Sequence, residues 1–118
     1  MLRLLGFLLF SLLSCASAQA CTFRFSFVFG QVTNGTLTAA SGESCAVTAD
    51  RTGGKTVIKS VKVTSPPKNG SASPGPIGVT YRSKPGFKGN DSFIFTIFGD
   101  GNAGTNVTAT IQITATIQ

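Results

Sequence analysis

Histidine and tryptophan are absent from this chain, and only four of its 118 residues are acidic. Without histidine, neither a Ser-His-Asp nor a Cys-His arrangement is possible, and the commonest general base and metal ligand is missing. The carboxylates are Glu43, Asp50, Asp91 and Asp100. A glycosidase needs two that face each other. Here Asp91 falls in a turn-rich motif, Asp100 in a glycine-rich turn, and Glu43 and Asp50 in the least patterned stretch. Asp100-Gly101-Asn102-Ala103-Gly104 begins like a calcium loop, but Ile111 stands where such a loop closes with glutamate, so the segment reads as a turn. We therefore expect no enzyme, no catalytic residue, no cofactor and no metal site.

Long apolar runs are lacking too. The run from Leu4 to Leu13 is ten residues long, against roughly 20 needed to cross a bilayer, which excludes a transmembrane span. Preceded by Met1-Leu2-Arg3 and followed by Ala16-Ser17-Ala18, it has the layout of a secretory signal peptide. The expected organisation is a signal peptide over residues 1–20, cleaved after Ala18 or Ala20, and one domain over residues 21–118, secreted or periplasmic. Leu12-Leu13-Ser14-Cys15 also resembles a bacterial lipobox, which gives a second processing route with a lipid anchor at Cys15.

Export leaves Cys21 and Cys45 as the remaining cysteines, and in an oxidising compartment a disulfide between them is the natural reading; two separate buried thiols are the alternative. Closing a loop of that size stabilises a fold by about 3 to 4 kcal/mol in the chain-entropy model. Charge is one-sided. Arg24, Arg51, Lys55, Lys59, Lys62, Lys68, Arg82, Lys84 and Lys88 outnumber the four acids, which keeps a secreted protein soluble and is compatible with an anionic partner. The basic residues are not interleaved with exposed aromatics, so a nucleic-acid partner is not expected.

Leucine is nearly missing after residue 20, where Leu37 stands alone, and no stretch there has helical periodicity. Valine, isoleucine, threonine and glycine take its place, which is strand composition. Phe23, Phe25, Phe27 and Phe29 alternate with polar or smaller residues and predict a strand with four rings on one face. Asn34-Gly35 reads as a turn, followed by short strands over Thr36 to Ala40 and Cys45 to Ala49. Arg51-Thr52-Gly53-Gly54 is a connection. Thr56 to Thr64 reads as a strand with Val57, Val61 and Val63 in one phase, and Lys59 and Ile58 break the alternation as a bulge would. Pro66-Pro67 ends it, Asn69-Gly70 reads as a hairpin turn, and Ile77, Val79 and Tyr81 alternate in the next strand. In the last strand Val107, Ala109, Ile111, Ile113, Ala115 and Ile117 share one face and threonine or glutamine the other. The expected fold is all-β, a two-layer antiparallel β-sandwich with Greek-key connections, its core including Phe25, Phe27, Val61, Tyr81, Phe93, Phe95, Ile111 and Ile113. Four formal glycosylation sequons, at Asn34, Asn69, Asn90 and Asn106, read as turn and strand composition.

The densest motif runs from Tyr81 to Phe95. Gly86 and Gly89 accept positive φ, Pro85 fixes its own φ, and Asp91 can accept backbone N–H bonds, so the segment predicts a corner that aims Phe93 inward. Tyr81, Pro85, Gly86, Phe87, Gly89, Asp91 and Phe93 are its structural residues. With Pro67, Asn69-Gly70, Phe95, Asp100-Gly101, Gly104 and the final strand, this order of residues resembles the bacterial Ig-like, cadherin-like modules of surface and adhesion proteins over Val57 to Ile117. Ser83 stands where a second proline is common in that family, and Phe95 replaces a frequent tyrosine. The resemblance implies an Ig-like Greek key and a non-catalytic binding or adhesion module at the bacterial cell envelope, with an anionic glycan or an envelope protein as partner. A passive structural component of a surface assembly, lipid-anchored or not, is the alternative it leaves.

Overall fold

A computed structural model describes residues 21–49, 57–102 and 104–118. Residues 1–20, where the signal peptide is expected, Asp50 and the connection expected at Arg51-Thr52-Gly53-Gly54 lie outside the described residues. Eight strands and no helix are present among the described residues: β1 (Cys21–Arg24), β2 (Val32–Ala39), β3 (Ser44–Thr48), β4 (Val57–Ser65), β5 (Gly70–Pro74), β6 (Gly78–Ser83), β7 (Gly89–Gly101) and β8 (Gly104–Ile117). They form a five-stranded sheet in the order β1-β2-β8-β7-β4 and a three-stranded sheet in the order β3-β6-β5. Pairing is antiparallel except between β2 and β8, which run parallel from Val32 opposite Thr110 to Ala39 opposite Ile117. This is the all-β sandwich with Greek-key crossings, carrying one parallel seam.

The period-2 patterns explain the layers. In β8, Ala109, Ile111, Ile113, Ala115 and Ile117 are buried between the sheets, while the polar phase faces outward. Phe93, Phe95 and Ile97 of β7 and Val47, Val79 and Tyr81 of the smaller sheet complete the centre. Of the expected core, Val61, Tyr81, Phe93, Phe95, Ile111 and Ile113 are buried, and Phe25 and Phe27 pack on the rim, half-exposed.

Connections 40–43, 66–69 and 84–88 each carry the chain from one sheet to the other at one end of the sandwich, the crossover pole. Hairpins β5–β6 and β7–β8 close the other end, the hairpin pole. Cys21 and Ile117 both lie opposite Ala39, so β1 begins and β8 ends at the crossover pole.

Four local expectations are corrected. The phenylalanine run is a strand only to Arg24, after which Phe25 passes over β2 and its ring meets Phe95 edge-on at 5.6 Å. That passage explains Asn34-Gly35, which lies inside β2 rather than in a turn: a Cβ on Gly35 would stand 2.8 Å from the Arg24 carbonyl oxygen. Glycine is there for a close approach, not for positive φ. Asn69-Gly70 likewise makes no hairpin; it enters β5 after the chain has left β4 for the other sheet. In β4 the register shift between Ile58 and Ser60 is the expected bulge at Lys59, but it turns Ile58 inward with Val61 and leaves Val57 exposed, so Val57 does not share their phase.

Candidate functional site

At the crossover pole the turn residues of the Tyr81–Phe95 motif adopt the geometry their chemistry favours. Phe87 N–H donates to the Lys84 carbonyl at 3.0 Å, closing a turn with Pro85 second and Gly86, at φ +86, third, the pattern of a type II turn. Gly89 enters β7 at φ +130. Phe87 is half-buried against the core, while Pro85 and Gly86 stay exposed. This turn passes the chain from the three-stranded to the five-stranded sheet, so the expected corner is present.

Asp91 follows in the inward phase of β7 and is only 6% exposed. Its Oδ1 accepts the N–H groups of Lys68 at 3.1 Å and Ser92 at 2.9 Å. Its Oδ2 accepts the Asn69 N–H at 3.1 Å and the Tyr81 hydroxyl at 2.9 Å. The backbone donors are therefore chiefly those of the 66–69 connection, a correction to the expectation that the carboxylate serves the corner's own backbone. One side chain of β7 thus fastens the 66–69 crossing and strand β6 of the opposite sheet together. A carboxylate offers about four lone-pair directions, and here four donors fill them, leaving none for a metal or a substrate proton.

Tyr81 is wholly buried, its ring stacked on Phe93 with centroids 5.4 Å apart. Burial, then the hydrogen bond to Asp91 and the carboxylate's charge, push its hydroxyl well above the ordinary phenol range, so it stays a neutral donor. Tyr81, Asp91 and Phe93 are thus one cluster, while Pro85, Gly86 and Gly89 shape the chain beside it. Ser83 is a member that sequence reasoning missed. It is buried, and its Oγ accepts the Gly42 N–H at 2.8 Å, tying the 40–43 connection to β6. The signal was its departure from the proline common at that position, because proline has no hydroxyl to offer.

Cys21 and Cys45 form a disulfide with Cα atoms 5.6 Å apart, which joins β1 of the larger sheet to β3 of the smaller. Asp100 lies at the opposite, hairpin pole. Its Oδ1 accepts the Asn106 N–H at 2.8 Å and its Oδ2 faces Lys59 Nζ at 3.2 Å. The Asn106 hydrogen bond foremost, with Lys59, holds its carboxyl below the usual range. Asn106 takes φ +55 to close this arrangement, which is how the calcium-like segment is used. Glu43 is exposed on the 40–43 connection, so the acids described do not converge. Among the described residues no group of three or more metal-ligating side chains forms, and no helix is long and apolar enough to cross a membrane.

The family model described as "Bacterial Ig domain" matches residues 28–114. The match takes in β2 and β3 as well as the stretch from Val57 onward, and leaves β1 with Cys21 outside. Neither the curated proteins nor the solved structures contain a match.

Proposed function

From the premise that this chain belongs to the bacterial Ig domain family, we propose that it is a non-catalytic module that works outside the cytoplasm, binding an anionic glycan or a protein of the cell envelope. The disulfide between Cys21 and Cys45 carries this reading, because such bonds form and persist in oxidising compartments. Residues 1–20 then serve as the export signal and residues 21–118 as the folded domain. The acids support the non-catalytic part: Asp91 is filled by four donors and Asp100 is engaged by Asn106 and Lys59. In this reading the buried residues of the corner, Tyr81, Asp91 and Phe93, hold the fold and do not touch ligand, while Pro85, Gly86, Phe87 and Gly89 shape the turn.

The test is to express the full chain in a bacterial host, read the mature N-terminus by mass spectrometry, titrate native thiols, and incubate the product with isolated envelope fragments. Expected are a terminus at Gln19 or Cys21, no free thiol, and retention on the envelope. A cytoplasmic, unprocessed and reduced product would overturn the export reading. A processed product that ignores envelope fragments would replace the binding role with a passive one, and a lipid-modified Cys15 would make that component a lipoprotein.

A further inference from the structure

The exposed side chains of the crossover pole carry almost one sign of charge. Lys68, Arg82, Lys84 and Lys88 are exposed on or beside its three connections. Lys84 and the 66–69 connection are drawn together by the Lys84 N–H, which donates to the Asn69 carbonyl at 2.9 Å. Two side-chain carboxylates share the pole. Asp91 is buried under its four donors, so Glu43 is the exposed one among the described residues. At the hairpin pole Lys59 is matched by Asp100. The charge asymmetry is thus produced by burying the acid that would have balanced the cations.

The shape of the 84–88 connection adds a second observation. Pro85 and Gly86 are exposed at its tip, Phe87 is half-exposed beside them, and Lys84 and Lys88 flank the three. A tip without charge between two long cationic side chains suits a lipid-water boundary, where lysine stems lie along apolar surface and their ammonium groups reach outward to phosphate. A soluble polyanion would use the ammonium groups and leave Pro85, Gly86 and the exposed part of Phe87 facing water.

We propose that the crossover pole docks on an anionic bilayer surface, with the Pro85-Gly86 tip at headgroup level and Lys68, Arg82, Lys84 and Lys88 on lipid phosphates. This rests on the reading that the module binds at the envelope, puts lipid in place of the glycan or protein as its partner, and gives it an orientation. Each lysine or arginine beside an anionic membrane changes partitioning roughly fivefold, so removing three lysines lowers it on the order of a hundredfold. Salt weakens the attraction, since the screening length falls from about 10 Å at 0.1 M to about 3 Å at 1 M.

The experiment sediments the exported protein with phosphatidylcholine vesicles and with mixed phosphatidylcholine-phosphatidylglycerol vesicles, and reads the ratio of the two partition coefficients. The expected ratio is far above one, collapses in the combined Lys68→Ser, Lys84→Ser, Lys88→Ser variant, falls with salt, and is kept by Lys62→Ser, an exposed lysine of β4. A ratio near one, or a triple variant that keeps the wild-type ratio, overturns the proposal. Should the triple variant melt early, the salt series on the unaltered chain decides instead, and a ratio that does not change with salt overturns the proposal. Capture by soluble polyglutamate without vesicle binding overturns the bilayer but leaves the envelope-binding module. Binding to neither vesicles, polyglutamate nor envelope fragments defeats both readings.

Discussion

Replacing Asp91 with asparagine changes one oxygen into an NH2 group and leaves the shape almost untouched. The structure fixes what that exchange costs. Each carboxylate oxygen receives two donors, so an amide nitrogen at either position meets at least one backbone N–H head-on: Asn69 at the Oδ2 position, or Lys68 and Ser92 at the Oδ1 position. The Tyr81 hydroxyl can rotate and accept instead, but an N–H cannot. The cheaper orientation therefore loses one charge-assisted bond, about 1.5 to 3 kcal/mol, and strands one buried donor, about 1 to 3 kcal/mol. A total of roughly 2.5 to 6 kcal/mol is a large share of a small domain's stability of about 5 to 15 kcal/mol. At about 4 to 8 °C per kcal/mol, the melting temperature should fall by more than about 10 °C. Circular dichroism melts and urea titrations of both proteins read it. A double-mutant cycle with Tyr81→Phe should show coupling, since the two side chains share a hydrogen bond. An Asp91→Asn protein that melts within a few degrees of the parent yet no longer binds the envelope would refute the reasoning and make Asp91 a ligand residue.

Tyr81 is the sole tyrosine, so ultraviolet titration reports it alone. Its folded-state pKa is raised, hence its stabilisation is complete below the unfolded phenol value of about 10 and is lost as pH climbs from there toward the folded value; tyrosinate absorbance should appear only as the protein unfolds, and an ordinary titration near pH 10 would contradict the burial. Gly35→Ala places a methyl group against the Arg24 carbonyl and the Ile113 side chain, each at 2.8 Å, and should destabilise by about 1 to 3 kcal/mol or more in urea titrations while releasing the Phe25 ring from Phe95. Reducing the disulfide, or Cys45→Ser, should cost about 3 to 4 kcal/mol, measurable as a drop in the denaturation midpoint.

What could be read from the sequence was whatever a short window contains. The alternation in β8 and the Pro85-Gly86 turn needed no distant partner, and both stand in the structure as expected. The family resemblance rested on such windows and is matched by the family model. Glycine was misread where its reason was remote: Gly35 is set by Arg24 and Phe25 passing overhead, which nothing around Asn34 announces. The partners of Asp91 were illegible for the same reason, since two of its donors are backbone groups more than twenty residues away and carry no side-chain signature. Ser83 looked like a deviation and proved to be a fastening for a loop that approaches from β2.

The placement of β1 beside β2 has a mechanical consequence. Modules strung in series transmit tension when the chain enters one end and leaves by the other, so that a parallel pair such as β2 and β8 is loaded in shear and its hydrogen bonds resist together. Here β1 doubles back before β2, and Cys21 and Ile117 flank the same residue, Ala39. A pull applied between Cys21 and Ile117 would open the seams on either side of β2 like a zipper, one bond at a time. The disulfide diverts part of that load past β1 into Cys45, a buried residue on β3 at the edge of the smaller sheet. Single-molecule stretching between residues 21 and 117 should accordingly record a low unfolding force.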